Sequence, residues 1–256
     1  MFAWLQHLVL PRPVPDDLWQ STLAQYPFLN ARTGQDVIRL RTLSARFLAH
    51  KQFSGAHGLV VTDPMAVAIA AQACLPILNL SLSLYDDFKG IVVHPGPMLA
   101  RRSRVDAAGV HHDYKEALAG ETMQGGPVTL SWQDVAASPE HSQRGFNVVI
   151  HEFAHKLDMR SSAGGLPNGC PPLPGRVARA QWQGTMNSAF AGFKNQLVMA
   201  ERFGAPLPWL DSYGATSPAE FFAVATEAYF VNPGQFATEF SAVNTLFDVY
   251  FGQHNV

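Results

Sequence analysis

The chain has 256 residues, 47% of them apolar, enough for one large domain or two small ones around a substantial core. Its 18 basic and 20 acidic residues leave a net charge of -2 with no long run of one sign, so it lacks the electrostatic footprint of a protein that binds nucleic acid or an anionic membrane directly. Two widely separated cysteines, Cys74 and Cys170, can build neither a disulfide framework nor a thiolate zinc cluster, and they fit a reducing compartment.

The opening MFAWLQHLVLPRPVPDD lacks a basic leader, a full-length apolar segment and a small-residue cleavage site. It is therefore expected to belong to the mature chain, with the cytoplasm as its location. VIRLRTLSARFLAHK (37–51) has helical spacing, while GLVVT (58–62) and GIVVHP (90–95) have the look of short strands. Residues 65–85 carry no charge and imitate a membrane span, but Gln72, Pro76, Asn79 and several serines interrupt them. A buried helix followed by a strand over LNLSLSLY (78–85) is the expectation. His111, His112 and Asp113 stand in AAGVHHDYKEALAG, which is expected to be a solvated loop, and His57 and His94 are expected to be ordinary strand-flanking residues. GPVTLSW (126–132) predicts a strand and ASPEHSQRG (137–145) a polar turn.

NVVIHEFAHKLDM (147–159) then places three polar groups in an otherwise apolar helical run. SSAGGLPNGCPPLPG (161–175) is too rich in Gly and Pro to be anything but a loop or lid, and helices are expected over 176–202, 218–230 and 234–251. No repeat and no polar linker divides the sequence. The expected architecture is a single α+β domain over 1–256, with a small mixed sheet in the first half and a mainly helical second half.

Residues four apart on a helix lie one above the other, so His151 and His155 project from one face and their ring nitrogens can converge on one ion. This is the H-E-x-x-H arrangement. Glu152 is rotated about 100° from the first histidine, which suits a base for zinc-bound water better than a ligand. Two core histidines satisfied by hydrogen bonds would leave Glu152 unexplained. Catalytic zinc needs a third protein ligand. The extended form of the motif would demand glycine at 158 and histidine at 161, where the chain has Asp158 and Ser161, so the ligand must come from farther away. Glu220 and Glu227, seven apart in SPAEFFAVATEAYF, share a helix face. Glu220 also completes a capping box with Ser217, and spacing alone leaves the choice between ligand and cap open. Asp158 shares the histidine face one turn on and could accept the outer N–H of an imidazole, or simply be a helix-surface aspartate; Glu227 could serve a histidine in the same way.

The blocks RFLAHK (46–51), GPVTLSWQDV, GFNVVIHEFAHKLD and DSYGATSPAEFFAVATEAYF resemble the Mlc titration factor A family, bacterial zinc metallopeptidases of the Glu-zincin type. The first forty residues, 1–40, show little that matches. The resemblance implies a zincin-like fold, one zinc per chain, ligands His151, His155 and Glu220, Glu152 as general base, and Tyr213 near the metal. The interval between Tyr213 and Glu220 is similar to that in the protease domain of anthrax lethal factor, where the tyrosine is an electrophilic helper. It further implies aminopeptidase-like hydrolysis of short peptide substrates and binding of a glucose-responsive transcription repressor of the Mlc type.

On this basis Glu152 is expected to take a proton from zinc-activated water, Tyr213 to donate to the developing oxyanion, and GPVTLSW to be the edge strand on which a substrate backbone pairs. The competing expectation is a non-catalytic protein that sequesters a transcription repressor. A closed structural zinc site, however, would have four protein ligands and no need of Glu152.

Overall fold

The computed structural model describes residues 11–105, 111–118, 120–161, 166–175 and 177–252, with 98–105 and 111–118 as backbone only. In chain order the elements are α1 (Asp16–Gln25), α2 (Pro27–Asn30), α3 (Gly34–His50), β1 (Gln52–Gly55), α4 (Asp63–Cys74), β2 (Gly90–His94), β3 (Met98–Val105), β4 (His111–Leu118), β5 (Gly120–Thr122) and β6 (Val128–Ser131). Six helices follow: α5 (Trp132–His141), α6 (Val148–Met159), α7 (Arg179–Phe203), α8 (Pro218–Val231), α9 (Pro233–Glu239) and α10 (Ser241–Phe251). The arrangement is α+β, and among the described residues no strand follows β6.

The sheet runs in the order β1-β2-β6-β5; the first three strands are parallel and β5 pairs antiparallel to β6. Alternation of buried Ile91 and Val93 on β2, and of Val128 and Leu130 on β6, turns one face onto the helices. GPVTLSW therefore supplies an inner strand rather than an edge, and β5 is the outer strand on that side. Helix α6 lies against β5, β6, α4 and α8. Among the described residues, no helix is long and apolar enough to cross a membrane.

Several expectations need correction. GLVVT is not a strand; the first strand falls earlier, at β1. LNLSLSLY alternates with period two but forms a turn and then a 3-10 helix, Leu82–Tyr85, instead of a strand, with the Ser81 side chain accepting from the Ser83 N–H at 3.2 Å. His111, His112 and Asp113 lie on β4, which pairs along its length with β3, so this stretch is a hairpin arm and not a loop. ASPEHSQRG is mostly helical because α5 runs through Pro139. Proline cannot donate to the carbonyl four residues back, and that carbonyl, on Val135, instead accepts from the Tyr26 hydroxyl at 3.2 Å. The predicted 234–251 helix breaks at Phe240, whose ring packs against Phe193, Phe221 and Phe236. Residues 166–175 run without helix or strand, as expected, while 162–165 lie outside the described residues.

Candidate metal centre

Helix α6 starts where Asn147 caps it: the Asn147 side-chain oxygen accepts from the Ile150 N–H at 2.9 Å, and its amide donates to Gln72 on α4 at 2.8 Å. Eleven of its twelve residues are buried, His151 being the partly exposed one. Helix α8 begins with Ser217 as cap and Pro218 in the first turn. The Ser217 hydroxyl accepts from the Glu220 N–H at 3.1 Å, but the Glu220 carboxylate does not fold back to close the capping box. It reaches across to α6.

Glu220 Oε2 lies 3.1 Å from His151 Nε2 and 3.1 Å from His155 Nε2, and the two Nε2 atoms are themselves 3.1 Å apart. Donors ~2.0–2.1 Å from a tetrahedral ion stand ~3.3 Å from one another, so this triangle has the dimensions of a ligand set. Its chemistry points the same way. His151 Nδ1 is 2.6 Å from Glu227 Oε1, and that carboxylate accepts from the Asn147 backbone N–H at 2.5 Å through its other oxygen. An N–H on Nδ1 leaves the Nε2 lone pair of His151 facing a second imidazole and a carboxylate. Lone pairs meeting in this way call for a cation. Burial opposes charge on His151, yet Glu227 and Glu220 hold its pKa well above the ordinary histidine value. Burial likewise opposes ionisation of Glu220, but the two imidazoles draw its carboxyl well below the usual range. The field that attracts a proton here also attracts a metal ion. Among the described residues, His151, His155 and Glu220 are the group whose side chains could hold one.

Glu152 is buried beside this triangle, and its Oε2 has no hydrogen-bond partner among the described residues. Burial raises its pKa above the usual carboxylate range, against the opposing pull of His151 and His155. Strand β5 lies directly over it: Thr122 Oγ1 donates to the Glu152 carbonyl at 3.3 Å, and a Cβ at Gly120 would come within 2.5 Å of the Glu152 carboxylate. Only glycine fits at 120 without displacing the acid. An open cleft of about 470 Å³ joins Gly120, Glu152, the ligand triangle, Met159, Leu166 and Tyr213. The Tyr213 ring is 6.0 Å from that of His151 and is 40% exposed.

Asp158 goes elsewhere than expected. It is wholly buried, and its oxygens accept from the backbone N–H groups of Gly169 at 2.6 Å and Cys170 at 2.9 Å. His155 Nδ1 has no hydrogen-bond partner among the described residues. Two participants escaped sequence reasoning. Asn147 caps α6 and is not singled out in the sequence, and Gly120 sits in a strand too short to show alternation.

The sequence pattern of the family described as glucose-regulated metallo-peptidase M90 matches residues 2–252. Relatives named Mlc titration factor A include one from Escherichia fergusonii, 33% identical over 236 residues that cover 92% of this chain and 86% of the relative. One from Salmonella arizonae is 35% identical over 238 residues, 93% of this chain and 91% of its own length. Another, from Serratia proteamaculans, is 34% identical over 235 residues, 92% and 86% of the two chains. With a match along almost its whole length and relatives of this similarity, the chain belongs to the glucose-regulated metallo-peptidase family M90.

Proposed function

We propose that this chain is a zinc-dependent peptidase that acts on short peptides in an aminopeptidase-like manner, with His151, His155 and Glu220 holding one zinc ion. The observation that carries this reading is the convergence of two imidazole nitrogens and one carboxylate oxygen at 3.1 Å beside a buried carboxylate, one oxygen of which has no partner among the described residues. Zinc bound there would supply Lewis acidity toward a carbonyl and toward water.

Glu152 takes the proton from the attacking water and passes it to the leaving amine. Its buried position favours this, because a raised pKa brings a carboxylate nearer to the pH at which it must both accept and release a proton. Glu227 fixes the ring orientation and tautomer of His151 through the 2.6 Å contact. Tyr213, in the cleft wall, donates to the oxyanion that develops on the substrate carbonyl. The role of backbone ladder moves from GPVTLSW to β5, the outer strand that lies over Glu152. Cys74 and Cys170 are unpaired and buried, which suits a protein of the cytoplasm.

The relatives' name, Mlc titration factor A, supports a second activity that does not compete with the first: capture of an Mlc-type transcription repressor. Glu152→Gln separates the two. The variant is expected to retain stoichiometric zinc and any repressor binding while losing hydrolysis of chromogenic amino-acid amides. Hydrolysis at the wild-type rate would overturn the catalytic assignment.

A further inference from the structure

Gly169 touches three helices at once. Its N–H donates to Asp158 on α6 at 2.6 Å, and its carbonyl accepts from Trp182 Nε1 on α7 at 2.8 Å. A Cβ on it would come within 2.5 Å of the backbone carbonyl oxygen of Pro218, in the first turn of α8. Its φ of +79° lies in the left-handed region that other residues rarely adopt. Pro218 stands two residues before Glu220, and Asp158 three residues after His155. One glycine of fixed thickness thus lies between the helix that carries both imidazoles and the helix that carries the carboxylate. Its neighbour is pinned as well, since the Ser161 hydroxyl donates to the Cys170 carbonyl.

We propose that Gly169, clamped by Asp158, is the spacer that sets where Glu220 meets the two imidazoles, which makes Asp158 and Gly169 positioning residues for the metal. The inference rests on the metal site proposed above. Asp158 gives its lone pairs to the spacer, and the ligands receive the benefit through the start of α8. A spacer of this kind acts on metal affinity more than on folding, because α6 and α8 also pack directly on each other through buried apolar residues such as Phe153, Ala154, Phe221 and Val224.

The test is zinc affinity of the full chain, measured by competition with a chromogenic chelator and paired with the thermal midpoint of the metal-free protein. Asp158→Asn and Gly169→Ala are each expected to weaken zinc binding ~10-fold or more, the range typical of residues that orient ligands; Asp158→Asn should move the metal-free midpoint little, whereas Gly169→Ala also lowers it, because its φ and the Pro218 carbonyl oppose a Cβ. If Asp158→Asn alone weakens binding, its charge near His155 is the cause and the spacer is overturned. A lowered midpoint with unchanged zinc affinity overturns it too. Should Gly169→Ala fail to fold, Trp182→Phe replaces it, because it frees the Gly169 carbonyl without crowding Pro218; unchanged affinity in that variant counts against the spacer. A wild-type chain that binds no zinc overturns the metal site itself and the spacer with it, whereas variants that match a zinc-binding wild type overturn the spacer alone.

Discussion

Two buried polar clusters lie on either side of α6, and they are built on opposite principles. Around Phe88, Lys51 Nζ donates to the carbonyls of Tyr85 at 2.5 Å and Phe88 at 2.6 Å, and Lys156 Nζ to those of Met123 at 2.7 Å and Gly126 at 2.9 Å. Both ammonium groups lie over the Phe88 ring, at 3.7 and 4.4 Å from its centroid. Around His151, two imidazole nitrogens and a carboxylate oxygen crowd within 3.1 Å of one another, and Glu152 Oε2 has no hydrogen-bond partner among the described residues. The first cluster is closed: each charge meets backbone carbonyls and an aromatic face, and its task is to tie loops and the β5–β6 turn to the core. The second is open, completed only by something that the chain does not supply. Adjacent residues on one helix, His155 and Lys156, serve the two purposes. Burial of polar groups marks chemistry where lone pairs remain unmatched and architecture where they are matched.

The comparison can be broken most sharply at Glu152. Glu152→Gln preserves shape and ligands, and amide hydrolysis is expected to fall ~10²–10⁴-fold in steady-state assays, the usual contribution of a general base. A variant with near-normal turnover would mean that the open cluster is not catalytic. Next comes Glu227→Gln. With the 2.6 Å contact to His151 weakened, zinc affinity should drop ~10–100-fold, as read by chelator competition.

On the closed side, Lys156→Met should cost ~1–3 kcal/mol in urea unfolding, because the carbonyls of Met123 and Gly126 lose a charged donor, yet leave zinc affinity within about twofold. A large effect on zinc would erase the distinction between the clusters. The smallest effect concerns pH. Burial lowers the Lys51 pKa to about 8, against an ordinary value of 10.5. Between those two values the unfolded chain binds the extra proton, so this lysine makes stability rise with pH across the window and contributes no slope below it. Lys51→Met should remove that rise from the pH dependence of unfolding, and a rise that persists would place its source elsewhere.

The open cluster was largely legible in the sequence because helical geometry is local: a spacing of four brings His151 and His155 together whatever surrounds them. Glu220 was ambiguous because position three of a helix serves a cap and a ligand equally well, and the fold resolves this by letting the Ser217 hydroxyl cap while the carboxylate turns away. The partner of Asp158 was not legible, since nothing in the sequence says that residues 169 and 170 double back onto α6. Fold errors share one cause. Period-two alternation at 78–85 arises from a turn followed by the 3-10 helix Leu82–Tyr85 as readily as from a strand, and the expected polar turn over 137–145 is helical because Tyr26, more than a hundred residues earlier, occupies the carbonyl that Pro139 abandons. The closed cluster carried no signal beyond two lysines in the sequence, because its acceptors are main-chain carbonyls brought in by tertiary structure.

Trp182 is 1% exposed, packed edge-on to Phe222 and Tyr250 and stacked on Phe247, while its indole N–H ends on the Gly169 carbonyl. An indole in so apolar a box, with a single polar attachment, gives the unlabelled protein a native optical sensor. In a variant whose other four tryptophans are replaced, its emission would register detachment of that glycine, so breathing of the segment beside the cleft can be timed by stopped-flow without introducing a dye.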